Sequence, residues 1–543
     1  MTFPGSGEMQ TARPHISDAQ TTRQWLQGLP LTNVPAAHAE MLVQMELVNT
    51  YAMSGVERLK VMEILREPIL YLQGEQSRKY AGKPLPFDNT ELSLWRKVLA
   101  LWAALARGYQ HCLESLQAGE PELQTYLGFI CQRLMHALGR QILEYHHAYQ
   151  PVPEKLWREV HQTYALAEEE GVARQAVKDA QNPLFDISSV EAAYGAILLT
   201  ALADPYHLTA RQLAQIDRWL GKWAARVQVV KEKPQPLYPE LRLSPITVDL
   251  ACAAGPAMIE PPAPPATLRY LDTNQLAVTL LKRIRHLRKG GSPGELDVGE
   301  DCVQPACEAL LTMLYQQWCE PLPIRGYERR PGEAKAQVVF TIPAIHFYCN
   351  GEKPLRQPGE APELSWQAMQ DLQVFGHVST HTAKMVASQR GYALETWRIV
   401  DESALGFRLA AEGVHGARIQ QNQLVAVRPP DAKSFVLGEV RWLRYRPDGT
   451  LQMGIHSFPG IPVAVGVRPP VLISALQAKY QPAFLLPEIP RLKVPASLIL
   501  PLGWYSPNRP LELLFEDRLT VKLTGLLHHG SDFDRVTFEA GGG

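Results

Sequence analysis

The sequence has little that would name a chemistry. No GxxxxGK[ST], no GxGxxG after a strand-like run and no GxSxG occurs in its 543 residues, which removes the commonest sequence-visible nucleotide hydrolases, dinucleotide enzymes and esterases. There is no CxxC pair, and the seven cysteines (Cys112, Cys131, Cys252, Cys302, Cys307, Cys319 and Cys349) are odd in number. That argues against a disulfide framework or a zinc ribbon, and for reduced thiols in a cytoplasmic protein. No apolar run reaches membrane-span length, the longest lying around Ala193 to Ala203, and the N-terminus MTFPGSGEMQTARPH lacks a basic stretch followed by an apolar core. Charge of one sign is missing too. A formal net charge of -1 gives no global pull toward nucleic acid or membrane, so any anion site must be local.

What is present is modular. With 46% apolar and 20% charged residues the chain is that of an ordinary folded protein, and its length exceeds one hydrophobic core, so roughly two to four domains are expected. Apolar residues recur at helical spacing from about Pro35 to Ala225, as in Leu59, Met62, Leu65 and Ile69. Asp88-Asn89-Thr90 starts one such run, and Thr209 with Gln212 makes a capping box before another. Leu156 to Val172 resembles the first helix of a tetratricopeptide-type repeat, but no 34-residue period follows, which favours an irregular bundle. From Lys231 to Ala266 the chain turns proline-rich, and two further helical patterns follow near Asn274 to Lys289 and Cys302 to Trp318. Then come short β-branched or aromatic runs between Gly, Pro, Asn and Asp turns: 336 to 347, 397 to 400, 424 to 427, 436 to 443 and 451 to 458. They suggest a small antiparallel barrel.

The expected fold class is therefore multidomain α+β. A flexible N-terminus (1–34) leads to an all-α helical bundle (35–230), a proline-rich linker (231–266) and a helical connector (267–320). An antiparallel β-barrel (321–465) with an insertion at 351–394, helical in its middle, and a small β-rich domain (466–543) complete it.

Within the barrel, WRIVDESALGFRL carries Asp401, Ser403 and Gly406 in the pattern D-x-S-x-x-G at a strand end. Upstream, Arg325-Gly326-Tyr327-Glu328-Arg329 is an R-x-x-x-R, with Arg330 beside it, and Val440, Trp442, Gly454, Ile455 and Phe458 follow downstream. In order and strand placement these resemble the PilZ family over roughly a quarter of the chain. One departure is that Asp401 lies 72 positions after Arg329, farther than in simple PilZ domains, and the insertion accounts for it. The resemblance implies a cyclic di-GMP receptor with no enzymatic activity and no cofactor, and a site of Arg325, Arg329, Arg330, Asp401, Ser403 and Gly406. The residue chemistry is consistent with that. A guanidinium fork pairs bidentately with phosphate or with guanine O6 and N7, a carboxylate accepts from the guanine N1 and N2 donors, a serine hydroxyl serves the same edge, and glycine permits a tight backbone path. Expected partners are cyclic di-GMP and a protein bound through the helical domain, with homo-oligomerisation possible in such a fold and no nucleic acid or membrane span. The alternative is a degenerate PilZ-like assembly module that binds no nucleotide.

Other signals are weaker. Glu308-Ala309-Leu310 spells the name of a phosphodiesterase family, but it falls on a short amphipathic helix without a metal-binding barrel around it, and nothing like GGDEF occurs. The basic run from Lys282 to Lys289 reads as a solvated helix end. His377 and His381 lack the glutamate of HExxH, and the pairs His146-His147 and His528-His529 suggest no site. Cys302 and Cys307 are taken as reduced and structural.

Overall fold

A computed structural model describes residues 14–179, 186–296, 298–299, 302–321, 328–359, 366–375, 391–412, 416–470, 479–515 and 517–540. The chain forms two compact units, one from residues 1–83 and 87–324, the other from 84–86 and 325–543. No helix among the described residues is long and apolar enough to cross a membrane.

The first unit contains α1 (Ala19–Gly28), α2 (Val34–Thr50), α3 (Gly55–Ser77), α4 (Asn89–Gln117), α5 (Leu127–His147) and α6 (Glu154–Glu169). Strands β1 (Val177–Lys178) and β2 (Ile187–Ser188) pair antiparallel before α7 (Val190–Leu202) and α8 (Ala210–Trp223). The start signals act as read: Asp88 caps α4 and Thr209 caps α8, both through capping boxes. The expectation of a flexible stretch over 1–34 is corrected for the described residues from 14 onward. Asp18 caps α1 by accepting from the backbone N–H groups of Gln20 and Thr21 at 2.8 Å each, and Ile16 is fully buried.

The proline-rich stretch is also not a free linker. Strands β3 (Gln228–Val230), β4 (Thr247–Asp249) and β5 (Leu268–Asp272) form a sheet in the order β3-β5-β4, and Leu241, Ile246 and Val248 join the same hydrophobic cluster as the helices. The prolines lie between these very short strands, where no ladder hydrogen bond is lost. Helices α9 (Asn274–Arg288) and α10 (Ala306–Trp318) complete the unit. The basic run ends α9, with Arg288 on Glu308 at 2.9 Å and His286 on Glu295 at 3.0 Å. Cys302 and Cys307, expected to be reduced, are joined as a disulfide. A turn in which the Cys307 N–H donates to the Val303 carbonyl brings their Cα atoms to 5.0 Å.

The second unit holds two barrels. The first comprises β6 (Arg330–Pro331), β7 (Lys335–Phe340), β8 (Glu395–Ser403), β9 (Gly406–Ala411), β10 (Leu424–Arg428), β11 (Val436–Tyr445) and β12 (Leu451–Ser457). Six strands run β8-β7-β10-β11-β12-β9, β9 closes on β8, and β6 adds to the free end of β8. Ile399, Leu409, Met453 and Leu443 lie opposite one another as one buried interior row. The run 336–347, read as one strand, breaks at Thr341 (φ +69°) and continues as helix α11 (Ile342–Cys349), with Pro343 in its first turn. In the insertion, α12 (Trp366–Phe375) is the expected helix. His377 and His381 lie outside the described residues.

The second barrel is closed, in the order β13-β14-β15-β18-β17-β16: β13 (Val463–Arg468), β14 (Gln481–Leu486), β15 (Ser497–Pro501), β16 (Pro510–Leu514), β17 (Arg518–His529) and β18 (Phe533–Ala540). The two barrels share a core in which Ile345, Leu437 and Phe458 pack with Phe484, Ile499 and Phe533.

A polar joint accompanies this core. Asp532 accepts from the Leu424 N–H at 2.8 Å, and His528 meets Glu439 at 2.9 Å. Burial pushes the Asp532 carboxyl up to about 6. A folded pKa above the unfolded value means that this group's contribution is greatest at low pH and is lost as pH rises from about 4 through about 6. Asp532→Asn keeps the acceptor and removes the charge. Its thermal midpoint at pH 7 should equal or exceed that of the wild type, with a flatter profile between pH 4 and 7. A lower midpoint with the wild-type slope would refute this account of the joint.

Candidate ligand-binding site

Two β-bulges build the site. In β8 the register passes from Ile399 opposite Leu409 to Asp401 opposite Arg408, so Val400 is the extra residue. Strict alternation would put Asp401 on the interior face with Ile399. The bulge turns it onto the face of Arg408 instead. In β11 the register passes from Val440 opposite Ile455 to Trp442 opposite Gly454, and Arg441 is the extra residue. Since Arg408 pairs with Gly454, Asp401, Arg408, Gly454 and Trp442 form one row across four strands, on the outside of the barrel.

Asp401 is the buried member of that row, 6% exposed. It accepts from Arg329 Nη1 on Oδ1 and is ion-paired through Oδ2 to Arg408 Nη2. The two arginine side chains stay 37% and 34% exposed. Pro331 stands opposite Asp401 and Arg330 opposite Glu402, so alternation places Arg329 on the Asp401 face and Arg330 on the other. Ser403 closes the β8–β9 turn, its Oγ accepting from the Leu405 N–H at 3.4 Å and lying 3.5 Å from the Gly406 carbonyl. Arg325 lies outside the described residues.

Gly406 is needed for packing as well as for conformation. Its φ is +153°, and a Cβ there would lie 1.9 Å from the Ile455 carbonyl oxygen on β12. Gly454 has a similar role. A Cβ would meet Trp442 Nε1 at 1.9 Å, so the indole lies flat over its backbone, with Arg444 above the ring at 5.3 Å. Gly406→Ala should cost about 1–3 kcal/mol from backbone conformation alone, with the clash in addition. Denaturant unfolding of the full chain checks this, and a change below 0.5 kcal/mol, roughly the size of an ordinary surface substitution, would contradict the close approach.

Sequence reasoning brought together Arg329, Asp401, Ser403 and Gly406 and missed Arg408. The signal was present two residues past Gly406, but it becomes meaningful only once the bulge fixes the register. Chemically, a carboxylate holding two partly accessible guanidiniums beside an indole face suits an anionic, aromatic ligand. The anion would compete with Asp401 for Arg329, while Arg408 keeps the carboxylate in place. Among the described residues no group of three or more His, Cys, Asp or Glu could hold a metal ion.

Comparison with known proteins gives three consecutive matches to one family. The description "Cyclic-di-GMP receptor FimW, N-terminal domain" matches residues 20–235, "Cyclic-di-GMP receptor FimW, middle PilZ domain" matches 359–458, and "FimW C-terminal beta-barrel domain" matches 466–540. Among curated proteins, the "Cyclic-di-GMP receptor FimW" of Pseudomonas aeruginosa is 24% identical over 523 residues, covering 88% of this chain and 83% of that protein.

Proposed function

We propose that this chain, a member of the PilZ family that carries the FimW domains in order, is a cytoplasmic cyclic di-GMP receptor that acts by changing protein contacts and catalyses no reaction. The observation that carries the reading is the convergence of Arg329 and Arg408 on Asp401, at the start of an outer row that ends in Trp442. Arg329 would leave Asp401 and, with Arg325, take the ligand's phosphates and guanines, Arg330 adding charge. Asp401 and Ser403 would face a guanine edge, and Gly406 would keep the turn tight.

The same strands support a route for output. Three residues before Trp442, β11 carries Glu439, which meets His528 of the second barrel, and β12 is followed by Phe458 in the shared core. Ligand that reorders Arg329 against β8 would bias how these strands sit on the second barrel, and with it a protein partner bound through the helical domain.

Calorimetric titration of cyclic di-GMP into the full chain tests the reading. Saturable binding at micromolar concentration or tighter is expected. No heat from correctly folded protein would overturn it and leave an assembly module, in which the Arg329–Asp401 pair is only structural.

A further inference from the structure

We infer that the helical unit contains a second ligand site, a cavity of about 380 Å³ among α3, α4, α5, α7 and α8 that takes a small amphipathic carboxylate, with its apolar body between the helices and its charged end on Arg140.

The volume falls at the lower end of the range for small-molecule sites, and the core of a helix bundle is a usual place for one. Leu70, Trp102, Met135, Leu143 and Ile197 supply the apolar wall. Gly74, in the last turn of α3, is exposed at the edge of the cavity, and a Cβ there would meet nothing within 4 Å.

The polar wall decides the ligand class. Its carboxylates are already matched: Glu144 accepts from Ser77 and Tyr80, Asp217 accepts from Arg140 at 2.6 Å, and Asp179 is paired with Arg66 at 2.9 Å. The unmatched groups are nitrogens. Trp102, 3% exposed, leaves its indole N–H without a partner among the described residues, and His136 leaves its Nδ1 likewise. Burial, with Arg66 adding to it, pushes His136 down to about 3, so its ring is neutral. Arg140 keeps 28% of its side chain accessible, and its planar fork has donors beyond the one on Asp217. Buried donors without partners are rare, and with the wall's own carboxylates already engaged, the Trp102 N–H and the remaining Arg140 donors are complemented by a ligand that brings an acceptor, as a carboxylate does.

Octanoate and 3-phenylpropionate, with 1-octanol as the uncharged comparator, are the probes for calorimetry on the full chain. At least one of the acids should bind saturably at one site per chain, and 1-octanol at least tenfold more weakly. Which acid prefers the site separates a chain-shaped from a ring-shaped occupant. Gly74→Leu adds bulk at the edge of the cavity and should weaken binding with undiminished helicity, since leucine is the better helix former. Arg140→Gln should weaken the acid at least tenfold and leave 1-octanol unchanged. The inference is overturned if neither acid binds, if binding is unweakened in folded Gly74→Leu, or if folded Arg140→Gln binds the acid as the wild type does. Cyclic di-GMP affinity is read in the same variants and should not change, which separates this site from the one on the barrel.

Discussion

Cyclic di-GMP should bind the Arg325→Ala/Arg329→Ala variant tens to thousands of fold more weakly than it binds the wild type. Each good bidentate arginine contact to phosphate or guanine contributes roughly 1–3 kcal/mol, and each 1.4 kcal/mol is about tenfold. The geometry sharpens the expectation, because Arg329 is paired with Asp401 and must be released. Arg329→Lys should not restore affinity, since an ammonium cannot make the planar two-point contact. Arg330→Ala should lose less, because Arg330 stands opposite Glu402 rather than Asp401. Calorimetry on the three variants, each confirmed as folded, reads all of this. Wild-type affinity in the double variant would remove the arginines from the site.

Asp179→Ala should destabilise the helical unit by about 3–5 kcal/mol, the usual consequence of leaving a buried charge unpaired. Asp179 and Arg66 each keep only 5% of their side chains exposed. Arg66 reaches both carboxylate oxygens, at 2.9 and 3.1 Å, with Gln132 at 3.3 Å and Arg133 at 3.5 Å. Burial by itself would raise the Asp179 carboxyl. Arg66, with His136 and Arg133, more than offsets this and holds it at about 2. A folded pKa below the unfolded value contributes stability that is fully present above about pH 4 and lost as pH falls toward 2. Denaturant unfolding followed by helical circular dichroism should show both effects. Glu308→Ala provides the contrast. Its partner Arg288 is 58% exposed, and its loss should cost less than about 1 kcal/mol. If the two variants lose equally little, the buried pair is not what anchors this region.

The D-x-S-x-x-G pattern could be read from sequence because its geometry is local. β8 ends at Ser403, a two-residue turn follows, and β9 starts at Gly406. Helix starts at Asp88 and Thr209 were legible for the same reason, since a cap and its partner lie within one turn. Arg408 was not legible, because whether it meets Asp401 depends on one extra residue in β8, and nothing in the composition around Val400 marks a bulge. The run from Ile342 to Phe347 reads as strand by its aromatic and β-branched content, yet it forms helix. There it buries Ile342, Ile345 and Phe347 at once, and Ile342 and Ile345 join the core between the barrels. Tertiary packing outweighs the local preference. The stretch from Lys231 to Ala266 misled in the opposite direction, because prolines between three-residue strands look the same in sequence as prolines in a tether.

The core joining the two barrels limits what can be engineered from this molecule. A biosensor made by cutting after Phe458 would turn the faces of Ile345, Leu437 and Phe458, now covered by Phe484, Ile499 and Phe533, into an exposed greasy patch prone to self-association. The first barrel is portable only as a tandem with the barrel that follows it, and a fluorescent reporter belongs after Ala540, where β18 ends.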